Sequence, residues 1–166
     1  MISTEQVKGL RDRTGISVMQ CNSALKEADG DMDKALEILK AKGADIVSKK
    51  GGRSLGSGTI ATYIHGGGAI GVIMELACET DFVARNEDFK ALAHDIAMHI
   101  AATNPDYLNT ENAEADEKSL GVQPERILLE QSFVKDESQK IKDLLTSAVQ
   151  KFGERIEIAR YERFSI

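Results

Sequence analysis

An α+β architecture, in which a small antiparallel sheet is packed with helices, follows from three features of this 166-residue sequence. Residues 3–43 carry three short apolar stripes at helical spacing, each opened by a capping residue and closed by a glycine. Two alternating β-rich runs, "TIATYIH" and "AIGVIMELA", flank Gly66, Gly67 and Gly68 as the arms of a hairpin. Two longer helical patterns follow, and "ERIEIARYERFSI" closes the chain as a strand.

The first helix opens with Ser3 and Gln6 at capping-box spacing, presents Val7 and Leu10, and stops at Gly15. Ser17 and Gln20 repeat the device, and Val18, Cys21, Ala24, Leu25 and Ala28 make one apolar face up to Gly30. Asp31 caps a third helix with Met32, Ala35, Leu36 and Leu39 on its stripe, and Gly43 is expected to close it. Met19 stands about 100° round the second helix from Val18, beside Asn22, Ser23 and Lys26. It is either an exposed, adaptable contact for another protein or a side chain packed at the rim of its own module.

Residues 44–58, rich in glycine with Lys49, Lys50 and Arg53, have the composition of a linker. The expected organisation is therefore a three-helix module over 1–43, a linker over 44–58 and an α+β core with dimerisation capacity over 59–166. In that core, Ile70, Val72, Met74 and Leu76 share one face of the second hairpin strand. Asn86 caps a long helix with Phe89, Leu92, Ala93, Ile96 and Ile100 on its main stripe. Its other side, with Ala91, Met98, Ala101 and Ala102, is also apolar and calls for cover from its own domain or from a second chain. The acidic stretch 103–126 reads as loop with a helical turn, and helix resumes at Asp136 to end at Gly153. In the last strand Ile156 and Ile158 are in phase while Tyr161 and Phe164 are not, which predicts a bulge.

Composition excludes several classes of function. The chain is 42% hydrophobic and 29% charged, and no apolar run approaches the ~20 residues of a membrane helix. The first residues carry no targeting signal, so a cytoplasmic location is expected. A net charge of −6 and the absence of Trp argue against nucleic acid as the main ligand. Cys21 and Cys78 are the two cysteines, without a CxxC, and are expected to be buried reduced thiols.

No catalytic residue, cofactor site or metal site is nominated. Asp29, Asp31 and Asp33 imitate the start of a calcium loop, but Lys34 and Lys40 occupy the positions of its glycine and its bidentate acid. "GGRSLGSG" lacks the lysine of a phosphate loop. His94 and His99 lie about 140° apart on their helix, cannot share a metal from one face, and are expected at the helix surface or an interface. What stands out is "CETDFVAR": Phe82, in a polar turn after Thr80 and Asp81, is either folded back into the core or held out for a partner.

These residues together resemble the elongation factor Ts family. "VKGLRDRTG", "CNSALKEADGDMDKALEILKAKG", "ETDFVARNEDF" and "LLEQSFVKD" are similar to its successive signatures in the same order, over nearly the whole chain. The first module alone also resembles ubiquitin-associated domains. The resemblance implies a guanine-nucleotide exchange factor, not an enzyme, that binds GDP-bound and nucleotide-free elongation factor Tu. It implies Arg11, Val18 and Met19 as contacts to the partner's nucleotide domain and His65 as a contact to another of its domains. Thr80, Asp81, Phe82 and Val83 match the motif whose Asp and Phe push between two partner helices near the magnesium and phosphate site. The chain departs from longer members in having one hairpin-plus-helix unit, which implies a homodimer, and in lacking a helical segment between Pro105 and Ile127. An adaptor without exchange activity, using the three-helix module for a peptide or ubiquitin-like partner, is the alternative reading.

Overall fold

A computed structural model describes residues 2–116 and 121–166, in two compact units: Met1–Arg53 with Leu145–Arg155, and Ser54–Leu144 with Ile156–Ile166. The acidic stretch expected as loop includes residues 117–120, which lie outside the described ones. The architecture is α+β, with N-terminal helices followed by a small antiparallel sheet packed with helices.

In the first unit, α1 (Thr4–Thr14), α2 (Val18–Glu27) and α3 (Met32–Lys50) start where short polar side chains satisfy their orphan N–H groups. Ser3 and Gln6 form the complete reciprocal capping box, Ser17 accepts from the Gln20 amide, and Asp31 accepts from the amides of Asp33 and Lys34. Gly15, at φ +67°, turns α1 toward α2 by a left-handed cap that most side chains would resist. The three stripes meet in one core of Leu10, Ile16, Cys21, Ala24, Leu25, Ala28, Ala35, Leu36 and Leu39.

Gly43 does not end the third helix, which runs on to Lys50 and so takes in the start of the segment whose composition suggested a linker. A Cβ added at Gly43 would lie 2.4 Å from Thr146 Cγ2 and 2.8 Å from Gln150 Oε1. The glycine is a point of close helix approach within this unit rather than a stop signal.

In the second unit, β1 (Ser57–His65) and β2 (Ile70–Cys78) form the expected hairpin, and β5 (Glu157–Ser165) adds antiparallel to β2, giving the strand order β1-β2-β5. Leu76 pairs Ile158 while Glu75 pairs Arg160, so the predicted bulge is present and leaves Ala159 as the extra residue. Val72, Met74 and Leu76 point into the core. After a short α4 (Asp81–Ala84), α5 (Glu87–Thr103) packs on β1 and β2 through Phe89, Ala93, Ile96 and Ile100. Its second apolar side is only partly covered: Ala101 is buried, whereas Ala91 and Ala102 are exposed.

A helical turn does interrupt the acidic stretch, as α6 (Thr110–Ala115), and a parallel bridge between Tyr107 and Ile127 brings the two ends of the stretch together. Helix does not resume at Asp136. Residues Ser132–Phe133 (β3) and Asp136–Lys140 (β4) pair as a small hairpin, and α7 begins at Ile141 and ends at Phe152. Asp136 serves the hairpin, accepting from Ser138 and from the Gln139 amide. His99 is likewise not at a surface: it is fully buried against this hairpin, its ring centroid 6.0 Å from that of Phe133.

Candidate functional site: an exposed wedge

The chain leaves β2 at Cys78 and reaches the Asn86 cap of α5 through one turn of helix. Thr80, extended at φ −127° and ψ 157°, is the N-cap of α4, and its carbonyl accepts the Ala84 amide and the Cys78 thiol, the latter at 3.2 Å. The Asn86 amide is bonded to the Val83 carbonyl while its side chain caps α5 through the Asp88 amide. The turn is thus bonded back to the end of β2 through the Thr80 carbonyl and on to the start of α5 through the Asn86 amide.

That frame sorts the four motif residues by direction. Val83 and Ala84 turn inward, each 8% exposed, and anchor the turn. Phe82 turns outward and is 86% exposed. Thr80 is exposed beside it, and the Asp81 carboxylate lies 3.2 Å from the Arg85 guanidinium, one helical turn on. The structure thus brings Thr80, Asp81 and Phe82 onto one surface and separates Val83 from them. The Arg85 partner of Asp81 was not singled out from sequence, although the i,i+4 spacing of opposite charges is its signal.

His65 sits at the far end of the same hairpin. It pairs with Ile70, the first residue of β2, whereas the wedge follows Cys78, the last; nine residues of strand put them roughly 27 Å apart. The Tyr63 hydroxyl lies 3.3 Å from His65 Nδ1, and the two rings are stacked with an interplanar angle of 17°.

In the first unit, Arg11 and the pair Val18 and Met19 lie on either side of the Gly15 turn. Met19 is 80% exposed, which decides between its two readings in favour of the surface. Val18 belongs by spacing to the apolar face of α2 but is 54% exposed, because as the first helical residue it overhangs the end of the core that buries Cys21, Ala24 and Leu25. Ile16, only 1% exposed, fills that end of the core instead and was not anticipated, since it lies between two helices and outside any stripe.

The buried network around His99 was also not anticipated. His99 Nε2 donates to Gln131 Oε1 at 2.9 Å, the Val134 amide donates to His99 Nδ1 at 3.3 Å, and Thr103 donates to the same Gln131 oxygen. Burial holds the His99 imidazole below its ordinary pKa, and the bond to Gln131 opposes this only in part. Its partners lie over thirty residues away, so no local spacing announces them.

Among the described residues no group of three or more His, Cys, Asp or Glu could hold a metal ion, and no helix is long and apolar enough to cross a membrane. The site has the attributes of a contact surface: exposed apolar side chains on a turn anchored by buried neighbours.

Residues 24–121 match the family model described as Elongation factor TS. The chain is similar to a protein named Elongation factor Ts of Carboxydothermus hydrogenoformans, 43% identical over 194 aligned positions that take in 100% of this chain and 89% of the relative. A protein of that name from Herpetosiphon aurantiacus is 41% identical, with 99% of this chain and 98% of the relative covered. For one from Fervidobacterium nodosum the figures are 42%, 99% and 98%. These alignments run over more positions than the 166 residues of this chain, so the relatives carry residues that it lacks.

Proposed function

The chain belongs to the elongation factor Ts family, and from that premise we propose that it is a translation elongation factor that binds elongation factor Tu and promotes release of its GDP. The observation that carries the exchange reading is the outward Phe82, 86% exposed on a turn whose neighbours Val83 and Ala84 are buried. A large apolar ring held in water on a bonded frame gains free energy when a partner covers it, on the order of 2 kcal/mol for full burial. With Asp81 beside it, Phe82 enters an apolar crevice of the partner's nucleotide domain and displaces groups around magnesium and phosphate.

Exchange then follows from linkage. If the factor binds nucleotide-free partner more tightly than GDP-bound partner, GDP binds the factor-bound partner more weakly by the same factor. No bond is made or broken, so the factor acts by binding and is not an enzyme. Arg11, Val18 and Met19 dock on the nucleotide domain, and His65 meets a second domain of the partner.

Pairing into a homodimer is part of the proposal. The outer face of the sheet leaves Ile60, Ile64, Ile73 and Phe164 at least 46% exposed, an apolar surface suited to a second copy.

The test is release of a fluorescent GDP from elongation factor Tu with the parent protein and with Phe82→Ala. Fast release that is lost in the variant supports exchange by the wedge. Binding of the parent without acceleration replaces it with the adaptor reading.

A further inference from the structure

His65 stands beside an unusually bare stretch of backbone. Gly66, Gly67 and Gly68 all take positive φ, at 60°, 66° and 102°, and no atom lies within 4 Å of a Cβ built at Gly67 or Gly68. A partner can approach the backbone of Gly67 and Gly68 without meeting a side chain, and the exposed His65 ring borders that opening. Its orientation is not left to solvent. Tyr63, two residues back on the same face of β1, stacks on the ring at a centroid distance of 6.0 Å and brings its hydroxyl within 3.3 Å of Nδ1. Tyr63 is in turn held from the α5 side by the edge of His94, at 5.7 Å and 64°. Its half-buried ring therefore cannot swing freely away.

A hydroxyl beside an imidazole nitrogen fixes which nitrogen carries the proton. The phenol oxygen shares its lone pair with its own ring and is a weak acceptor, whereas its O–H is a good donor and an unprotonated Nδ1 a good acceptor. We infer that Tyr63 is a positioning residue for His65: its hydroxyl donates to Nδ1, the imidazole proton resides on Nε2, and the partner group that His65 meets is a hydrogen-bond acceptor, a carbonyl or carboxylate oxygen. This rests on the reading of His65 as a partner contact and adds to it the polarity of the contact and the residues that set it. His94 is the buttress that keeps Tyr63 in place, and no role in touching the partner is assigned to it.

Two measurements on the full chain test the inference. The imidazole nitrogen spectrum of 15N-labelled protein reports the tautomer of His65 directly. The parent is expected to carry the proton on Nε2, and Tyr63→Phe, which keeps the stacked ring, is expected to move the Nδ1 resonance. A proton found on Nδ1 in the parent, or an unmoved resonance in the variant, overturns the inference.

Affinity for elongation factor Tu supplies the second readout. The amide nitrogen of a Gln side chain reaches the place of Nε2, and that of Asn reaches the place of Nδ1. His65→Gln should therefore bind within about twofold of the parent, while His65→Asn and Tyr63→Phe bind about two- to tenfold more weakly, the range set by one hydrogen bond. If His65→Ala binds as well as the parent, the contact reading of His65 fails and this inference with it. If His65→Ala is weak but Asn substitutes as well as Gln, the contact stands and the assigned polarity is wrong.

Discussion

His99 donates from Nε2 to Gln131 Oε1 across 2.9 Å in a site closed to solvent, and the Val134 amide occupies its Nδ1. The neutral imidazole thus has one donor and one acceptor position, both filled, and a second proton has no acceptor waiting for it. Folding lowers the pKa of His99 from its ordinary 6.5, so the unfolded chain binds the proton more readily. The stability that His99 contributes is complete above pH 6.5 and is lost as pH falls from there toward the folded pKa, by at most ~1.4 kcal/mol per pH unit. Urea unfolding at pH 7.5 and 5.5 should show this loss in the parent and a smaller one in His99→Gln, the carboxylates contributing equally to both. An equal loss in the two proteins removes His99 as its source.

Gly43 makes a prediction that helix propensity alone has the wrong way round. Replacing an interior helical glycine by alanine ordinarily gains about 1 kcal/mol. Here the new methyl would stand 2.4 Å from Thr146 Cγ2, inside any tolerable contact, and 2.8 Å from Gln150 Oε1. Gly43→Ala is therefore expected not to stabilise the protein and to destabilise it by up to about 2 kcal/mol, a typical cost of overpacking offset by the propensity gain. Adding Thr146→Ala should return part of it, as a double-mutant cycle in urea would show. A stabilised Gly43→Ala variant would mean that the two helices do not approach as closely as described.

The same residue marks the limit of what local sequence signals convey. Caps, stripes and the hairpin were legible because each depends on neighbours within a few positions: Ser3 with Gln6, Asp31 with Lys34, and alternation on either side of Gly66. Gly43 was misread because a glycine in a helical pattern looks the same whether it ends a helix or admits another one, and Thr146 is a hundred residues away. Asp136–Lys140 was misread as the start of a helix because its polar residues have no period and its strand partner, β3, is only two residues long. At the candidate site the residues alone left both alternatives for Phe82 open, since they do not say whether Phe82 or Val83 faces inward; the family resemblance pointed Phe82 outward, and its 86% exposure agrees. His99 was expected at the helix surface or an interface because its partners, Gln131 and Val134, come from a distant stretch of chain around β3.

Tyr161 supplies a pH prediction at the alkaline end. Its hydroxyl donates to the Pro105 carbonyl at 3.1 Å, and burial, with Asp106 and Glu162 nearby, pushes its pKa up to about 12. A tyrosine whose folded pKa is raised contributes stability that is present below its ordinary value of 10 and is lost as pH rises from 10 toward 12. Tyr161→Phe should lower stability at neutral pH by about 1 kcal/mol through the loss of one hydrogen bond. It should also flatten the decline above pH 10, which urea unfolding followed by circular dichroism at pH 8 and 11 would measure. A decline of the same steepness in the variant would assign it to other groups.

Phe82 and Val83 are adjacent in sequence, face opposite ways, and should separate binding from stability. Phe82→Ala removes a side chain that is 86% exposed and makes no demand on the core, so the unfolding midpoint should stay within about 0.5 kcal/mol of the parent. Val83→Ala removes two methyls from a side chain only 8% exposed and should cost about 1–2 kcal/mol. Its folded fraction should still present Phe82, and nucleotide release per folded molecule should fall less than in Phe82→Ala. The two variants are best compared in one assay, with the concentration of folded protein set from circular dichroism. Were Phe82→Ala to unfold readily, the ring would be a core residue in solution and the wedge would have to be abandoned. Were Val83→Ala to abolish release while remaining folded and stable, the inward residue would be the one the partner uses, and the turn would have to reverse on binding.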